Sequence, residues 1–339
     1  MRLAYIGNHQ TDVVAEGRTP WSTESAIGAS LELLGHEVVR IEEREVSWPD
    51  RIRIAEGCDM LWWTSTWDFA TQWPVAEALR SIAYLNDRMP TVAAHLDRWW
   101  NLSREDQVMD RRRGNAMFRC RWVWTADGDS DHLWPRADVN HRFMPPAVYG
   151  PECVDGTARD EYRSDVAFVG SWQWYTHAEH WPYRKAMLDR LSDRYGSRFR
   201  CWPEEGEPAV RARALNDLYA SVKIVAGDSC LAHMPETNLY WSDRATETIG
   251  RGSFMVHPAV PGLMDAIPEG MGVAYYPKGD WDAMCERIDW WLAHDDEREE
   301  ARRKGQQYIR EHHTWEVRLQ HMLDVMEQEG AFRTPGPSR

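Results

Sequence analysis

Short apolar runs of four or five residues recur along the chain and alternate with segments of helical pattern. The predicted strands are residues 3–6, 37–41, 60–63, 91–94, 122–125, 165–169, 222–226, 253–257 and 272–276. The predicted helices are residues 22–34, 75–84, 184–191, 281–293, 297–313 and 315–328. Strands that are apolar at almost every position are typical of a parallel sheet covered on both faces. Their alternation with helices predicts right-handed βαβ units.

One break divides this alternation. Pro145 and Pro146 begin a run rich in glycine and aspartate that ends near Asp160, and such clusters are typical of loops and linkers. The sequence therefore predicts an α/β protein of two doubly wound, Rossmann-like domains that face each other across a cleft. The predicted parts are a first domain (1–150), a second domain (160–313), a last helix (314–329) and a disordered tail (330–339).

Composition narrows the class of protein. The chain has 339 residues, of which 43% are hydrophobic and 28% charged, as expected for a globular protein in water with two domains. A formal net charge of −14 disfavours non-specific binding to nucleic acid or anionic membranes, although a local basic patch is compatible with it. Residues 1–7 resemble a short strand rather than a signal peptide, and no apolar run has the length of a membrane span. The six cysteines include no Cys-x-x-Cys motif, so we expect reduced thiols and a cytoplasmic location.

The most informative stretch is residues 238–261. Ser242 and Asp243 are both good N-caps for a short helix, and Gly250 and Gly252 are expected to stop that helix. A buried strand, residues 253–257, then follows. The stretch therefore predicts a helix whose start lies beside the edge of a sheet.

Two charged residues of this helix can bind a nucleotide. Arg244 and Glu247 are three positions apart and share one face. The helix start and Arg244 favour phosphate, while a glutamate accepts hydrogen bonds from a ribose diol. The alternative is that the two residues form an ion pair within the helix and bind no ligand.

The same stretch resembles the donor-site signature of GT-B glycosyltransferases, and most closely that of the CgeB-like spore-maturation branch. In that branch a Ser-x-Arg-x-x-Glu helix, matched here by Ser242, Arg244 and Glu247, leads into a glycine-rich turn with Gly252 and then a strand. The resemblance implies that Glu247 contacts the ribose. Many retaining GT-B enzymes carry a second glutamate eight positions earlier, where this chain has Leu239. That departure puts a retaining mechanism of this type in doubt, but not donor binding.

The resemblance extends over most of the chain. Residues 165–171, with Arg184 downstream, are similar to the first strand and helix of the family's donor domain. Residues 312–315 and Arg318 resemble the segment that ends the family's sequences. This implies a C-terminal helix, within 314–329, that crosses back to pack on the first domain.

Gly170 and Ser171 form a second candidate for donor binding. They follow a predicted strand, and open α/β sheets bind ligands at the carboxyl ends of their strands. Backbone N–H groups there can hold a phosphate, and Arg184 can add positive charge. A plain strand-to-helix turn explains the same residues.

Three residues are candidates for a catalytic base on the acceptor side. Asp12 lies in the loop that leaves the first strand, and His95 and Asp97 follow the strand at 91–94. On extended backbone His95 and Asp97 share one face, and a carboxylate that orients an imidazole can make a base near neutral pH. A solvated loop carboxylate and a structural His–Asp pair are the alternatives.

No metal or dinucleotide motif is convincing. The closest approaches to ligand spacing are at His177 and His180, at His312 and His313, and at Asp127 and Asp129. None has defensible partners for zinc, and the last pair lies in a turn-like context. The sequence contains neither a Walker A motif nor Gly-x-Gly-x-x-Gly. We therefore expect a metal-independent protein that uses neither ATP nor NAD.

Residues 98–124 form a basic segment in a chain that is acidic overall. The segment holds seven arginines interleaved with four tryptophans: Arg98, Arg104, Arg111, Arg112, Arg113, Arg119 and Arg121, and Trp99, Trp100, Trp122 and Trp124. Arginines on phosphates with bases stacked on tryptophan suit a nucleic-acid strand. A solvated helix with internal ion pairs is the alternative.

These observations lead to one main hypothesis and two others. The main hypothesis is a glycosyltransferase that moves a sugar from a nucleotide-sugar donor to an acceptor hydroxyl; the resemblance favours a UDP-sugar. The second is a phage-type DNA glycosyltransferase that acts on a hydroxymethylated base. The third, suggested by Leu239, is a non-catalytic nucleotide-sugar-binding protein. The sugar, the acceptor and the stereochemical outcome stay open.

Overall fold

The computed structural model describes residues 1–9, 22–65, 74–96, 115–126, 128–170, 182–204, 206–229 and 237–332. Several predicted site residues lie outside these ranges: Asp12, Asp97 and Ser171, together with Asp127, His177, His180, most of the arginine-rich segment and the last residues of the tail. The chain divides into two units, Met1–Pro145 with the segment from Trp315 onward, and Pro146–Thr314.

The first unit is built on a six-stranded parallel sheet. Its elements are β1 (Arg2–Gly7), α1 (Thr23–Leu33), β2 (Glu37–Glu42), α2 (Trp48–Ala55), β3 (Met60–Ser65), α3 (Val75–Asn86), β4 (Thr91–His95), β5 (Trp122–Thr125) and β6 (His141–Phe143). The strand order is β2-β1-β3-β4-β5-β6. Ile6 lies in register with Ile41 on one side and Trp63 on the other, and all three side chains are buried in one apolar core.

The second unit contains a five-stranded parallel sheet. Its elements are β7 (Ser164–Val169), α4 (Pro182–Tyr195), β8 (Phe199–Trp202), α5 (Ala212–Ser221), β9 (Val222–Ala226), α6 (Arg244–Gly250), β10 (Met255–Pro258), α7 (Pro261–Ala266), β11 (Val273–Tyr276), α8 (Trp281–Ala293) and α9 (Asp295–His312). The strand order is β11-β10-β9-β7-β8. The order of connection reverses between β7 and β9, and such a switch point opens a crevice at the carboxyl ends of the strands.

The last helix, α10 (Trp315–Gln328), packs on the first unit. Ser30 Oγ on α1 donates a hydrogen bond to Glu316 Oε1 over 2.8 Å. Just beyond the helix, Glu329 accepts hydrogen bonds from Trp122 Nε1 at 2.7 Å and from Arg142 Nη2 at 2.5 Å. The helix is therefore anchored at both ends to elements of the first unit.

Two parallel-sheet α/β units confirm the predicted fold class. The prediction omitted the edge strands β6 and β8, because their partly exposed, arginine-containing sequences form no apolar run. It also omitted the helices α2, α5 and α7. The strand predicted at 253–257 begins instead at Met255. Gly250 does not stop α6 but is its last helical residue. In the described ranges, no helix is both long and apolar enough to cross a membrane.

A buried glutamate lies next to the end of β2. The side chain of Glu43 accepts a hydrogen bond from Trp63 Nε1 at 2.7 Å, and its backbone carbonyl accepts one from Arg51 Nη2. Only 2% of Glu43 is exposed, and this burial raises the pKa of its carboxyl from 4.5 to about 7. The folded protein therefore holds a proton here that the unfolded chain releases.

We expect Glu43→Gln to remove a pH dependence of stability. In the wild type, the free energy of unfolding falls as the pH rises from about 4.5 to about 7, because the folded state binds the extra proton. The glutamine has the shape of the glutamate side chain but does not titrate. The free energy of unfolding of the variant, relative to that of the wild type, therefore rises by up to about 3 kcal/mol across this window. Urea unfolding at pH 5, 6, 7 and 8 measures this, with the exposed Glu45→Gln as the control. Parallel curves for wild type and Glu43→Gln would contradict the assignment.

Candidate functional site

Polar groups converge at the carboxyl edge of the second sheet, on both sides of its switch point. Gly170 directly follows β7, and Asp228 comes two residues after β9. Arg244 begins α6, and Arg184 lies in the first turns of α4. We call Arg184, Asp228 and Arg244 the arginine–aspartate cluster.

Asp228 is the centre of this cluster. Its Oδ2 accepts a hydrogen bond from Arg184 Nε at 2.7 Å, and its Oδ1 accepts one from Arg244 Nη1 at 2.5 Å. Arg184 Nη2 also reaches Oδ1, at 3.3 Å. The side chain of Asp228 is fully buried. One carboxylate thus holds two guanidinium groups that come from different helices.

Arg244 is held from several sides but keeps one edge uncommitted. Its Nε donates to Val169 O at 2.5 Å, and its guanidinium carbon lies 4.9 Å from the centre of the Phe168 ring. A Cβ at Gly170 would stand 2.6 Å from Arg244 Nη2, so residue 170 must be glycine for Arg244 to lie here. Nη2 has no hydrogen-bond partner among the described residues. This edge of Arg244 is available to a ligand.

Arg184 lies deeper than the sequence analysis assumed. Its side chain is only 2% exposed, compared with 12% for Arg244. The two arginines predicted to supply positive charge are therefore unequal: Arg244 reaches the carboxyl edge of the sheet, and the more deeply buried Arg184 pairs with Asp228.

The cluster carries a net positive charge. Burial alone would raise the pKa of the Asp228 carboxyl, but the guanidinium groups of Arg184 and Arg244 outweigh it and lower that pKa. At the end of β10, burial lowers the pKa of His257 to about 4, so this imidazole is neutral at pH 7. Two cations and one anion leave a charge of +1, which suits an anionic ligand.

Glu247 lies one turn beyond Arg244, and the alternative of an ion pair between the two is wrong. Arg244 pairs with Asp228, whereas Glu247 Oε2 accepts a hydrogen bond from Arg251 Nε at 2.5 Å. Arg251 is itself fixed by Glu152 and by Asn216 Oδ1, the latter at 2.6 Å. Glu247 Oε1 has no hydrogen-bond partner among the described residues, and 25% of the side chain is exposed. Glu247 is thus oriented by a buried arginine and keeps one carboxylate oxygen uncommitted.

Of the two predicted N-caps, Asp243 occupies the N-cap position of α6 and Ser242 directly precedes it. The Asp243 side chain makes no capping hydrogen bond. Instead Ser242 Oγ accepts one from Arg244 N at 3.3 Å, which fixes the backbone at Arg244.

Gly252 lies at the opposite edge of the sheet from this cluster. It has a φ of +82° and lines a cavity of about 370 Å³ together with Val222 and Lys223 at the start of β9. Asp228 lies beyond the other end of β9, and the five residues of that strand span roughly 15 Å. A Cβ at 252 would meet Asp155, Arg302 and Gln306. Those three atoms are ends of flexible side chains, so the positive φ is what requires glycine here, and we remove Gly252 from the candidate donor site.

In the first unit, the structure describes one of the three predicted bases. His95 ends β4, where it is buried and in register with Ser65 and Thr125. Asp12 and Asp97 lie outside the described residues. Within the described ranges, no group of three His, Cys, Asp or Glu side chains could hold a metal ion.

Asp228 and Arg251 are the site residues that the sequence analysis missed. Asp228 had a usable signal, because Gly227 and Asp228 directly follow the strand predicted at 222–226 and such strand ends bind ligands. Arg251 had none, since an arginine between two glycines is typical of a helix end.

Part of the chain matches a protein-family model, and the chain is similar in fold to several solved structures. A family model described as glycosyl transferase-like matches residues 184–324; no curated protein matches the sequence. Among solved structures, the chain is similar to an alpha-glucosyltransferase in complex with UDP-glucose and DNA containing an abasic site, with TM-score 0.63, 9% identity, and coverage of 96% of this chain and 99% of that one. It is similar to HepE of Anabaena in complex with UDP-glucose, with TM-score 0.62, 11% identity and coverage of 97% and 100%.

A third similar structure is the sucrose-phosphate synthase of Thermosynechococcus elongatus, with TM-score 0.60, 11% identity, and coverage of 98% of this chain and 100% of that one. At such identities a likeness concerns the fold. The narrower resemblance to CgeB-like proteins stays a prediction. The chain has the GT-B glycosyltransferase fold that the sequence predicted.

Proposed function

We propose that the protein is a glycosyltransferase whose second unit binds a nucleotide-sugar donor at the carboxyl edge of its sheet. The observation that carries this proposal is that Arg244 and Glu247 lie on successive turns of α6, on the same face. Each keeps an uncommitted polar edge, and each is fixed by a buried partner, Asp228 or Arg251. A cation and an acceptor oxygen so arranged suit a diphosphate and a ribose.

The chemistry follows from these positions. Arg244 stabilises the negative charge that develops on the departing diphosphate when the bond to the sugar breaks. Glu247 Oε1 accepts hydrogen bonds from the ribose hydroxyls and so sets the position of the donor. We propose UDP as the nucleotide, because the similar alpha-glucosyltransferase and HepE structures contain UDP-glucose. Positive charge from the arginines takes the place of a metal ion in this proposal.

The acceptor hydroxyl must lose its proton as the new bond forms. The proposed base belongs to the first unit and is His95, Asp97 or Asp12. Of these, His95 is the last residue of the buried strand β4, so its backbone is fixed independently of any loop.

We expect Glu247→Ala to lose recognition of the ribose specifically. Hydrogen bonds to a charged group are worth roughly 1.5–3 kcal/mol, so the affinity for UDP should fall about ten- to a hundredfold. The affinity for 2′,3′-dideoxy-UDP should not change, because that ligand lacks the two hydroxyls. Calorimetric titration of both ligands into wild type and variant measures this.

The control variant for this titration is Asn216→Ala. It removes another partner of Arg251 and leaves Glu247 in place, so the variant should keep its preference for UDP over the dideoxy ligand. If Glu247→Ala keeps that preference as well, Glu247 does not bind ribose.

A DNA acceptor is the second candidate. Structures similar to this chain include an alpha-glucosyltransferase with UDP and DNA that contains an HMU base. The arginine-rich segment at 98–124 supplies charge for phosphates. Arg121, at its described end, is exposed next to β5.

If DNA is the acceptor, the protein should bind a hydroxymethylated duplex with strong salt dependence. Replacing Arg111, Arg112 and Arg113 by alanine should lower the slope of log K against log salt by roughly 0.9 for each phosphate that is no longer neutralised. Fluorescence anisotropy between about 25 and 200 mM salt measures the slope. The control replaces three exposed arginines of the second unit, Arg213, Arg287 and Arg303. Weak binding that does not depend on the salt concentration would rule out the DNA acceptor. Equal changes of the slope in both triple variants would rule it out as well.

A further inference from the structure

Asp228 poses a problem that the proposed function does not explain. It is a fully buried carboxylate at an edge proposed to bind a diphosphate, and a fixed negative charge there opposes an anionic ligand. Its two arginine partners come from different helices and lie 44 residues upstream and 16 residues downstream. Replacement by a neutral residue would make the site more positive. The charge of Asp228 therefore needs a reason other than attraction.

The geometry of Arg244 supplies that reason. Asp228 Oδ1 accepts a hydrogen bond from Nη1, and the carbonyl of Val169 accepts one from Nε. The centre of the Phe168 ring lies 4.9 Å from the guanidinium carbon. A planar guanidinium fixed in this way has one orientation left. Its Nη2 then points along Gly170, where a Cβ would lie 2.6 Å away.

Arg184 completes the arrangement. An aspartate with a single, partly exposed arginine would be a buried charge with one oxygen unpaired, which is costly. Arg184 bonds to the second oxygen from below at 2.7 Å and also contacts the Phe168 ring, with its guanidinium carbon 5.4 Å from the ring centre. Asp228 is thus stabilised as an anion.

We propose that Asp228 is a positioning residue for the donor: it holds the guanidinium of Arg244 so that the Nη2 edge, beside Gly170, meets the diphosphate. Arg184 acts on the ligand only through Asp228. The proposal rests on the proposed function, because it takes the ligand to be a nucleoside diphosphate. It separates the two arginines into one that contacts the ligand and one that supports the contact.

Two variants distinguish positioning from simple charge. Arg184→Gln removes one cation and leaves the contact between Asp228 and Arg244, so the net charge of the cluster falls from +1 to 0. The double variant Arg184→Gln with Asp228→Asn restores the charge to +1 but takes the carboxylate away from Arg244. In Arg184→Gln the amide nitrogen takes the chain position of Arg184 Nε and can donate to the second oxygen of Asp228, and the double variant removes both charges of the buried pair.

The test is calorimetric titration of UDP and of uridine, which has no phosphate, into both variants and the wild type. If Asp228 positions Arg244, the double variant binds UDP roughly tenfold more weakly than Arg184→Gln despite its higher positive charge. Both variants bind uridine with equal affinity. Uridine binding also reports that the rest of the site is folded.

Two results would overturn the positioning role. One is UDP binding by the double variant that is as tight as that of Arg184→Gln or tighter, which is the order that charge alone predicts. The other is an equal loss of UDP and uridine affinity, which would mean that Asp228 only stabilises the fold. A wild type that binds no UDP would instead contradict the proposed function.

Discussion

The candidate donor site depends on one buried carboxylate that is shared by two guanidinium groups. Asp228 joins the ends of β7 and β9 to α4 and α6, because Arg184 and Arg244 reach it from those two helices. Water does not screen this charge, so removing either partner is costly. The start of α6, and with it Arg244 and Glu247, is therefore fixed relative to the switch point of the sheet.

A second buried charge network fixes the other half of α6. Arg251, which directly follows the helix, is bonded to Glu247, Glu152 and Asn216. The burial of Glu152 raises the pKa of its carboxyl to about 7, although Arg251 acts in the opposite direction. In both networks the buried partner is the orienting residue, and the residue nearer the surface keeps a free polar edge. Preorganised groups of this kind lose little entropy when a ligand binds.

The sequence was sufficient for what depends on local pattern. Apolar runs located the buried strands, including β5 and β9 to the residue, and the Ser-x-Arg-x-x-Glu motif located α6. Edge strands such as β8 were missed because one side of an edge strand meets water and its sequence is mixed.

The failures in the site concern contacts between distant parts of the chain. A local pattern places Asp228 at the end of a strand, but its pairing with residues 44 positions before and 16 after it is in no local pattern. For the same reason Arg184, which was predicted to add positive charge beside a phosphate, is instead buried against the aspartate. Gly252 matched a motif, but the motif does not reveal that α6 starts near the carboxyl ends of the strands and ends near their amino ends. Gly252, which follows α6, therefore lies away from the candidate donor site.

The most direct test of the account is release of nucleoside diphosphate from a panel of nucleotide sugars by the wild type and by Arg244→Gln. The wild type should release diphosphate from at least one donor, slowly to water and faster when a suitable acceptor is present. Arg244→Gln should lower that rate by roughly 10²–10³, as loss of a group that stabilises developing charge does. A wild type that turns over no donor, or an Arg244→Gln variant as fast as the wild type, would contradict the account.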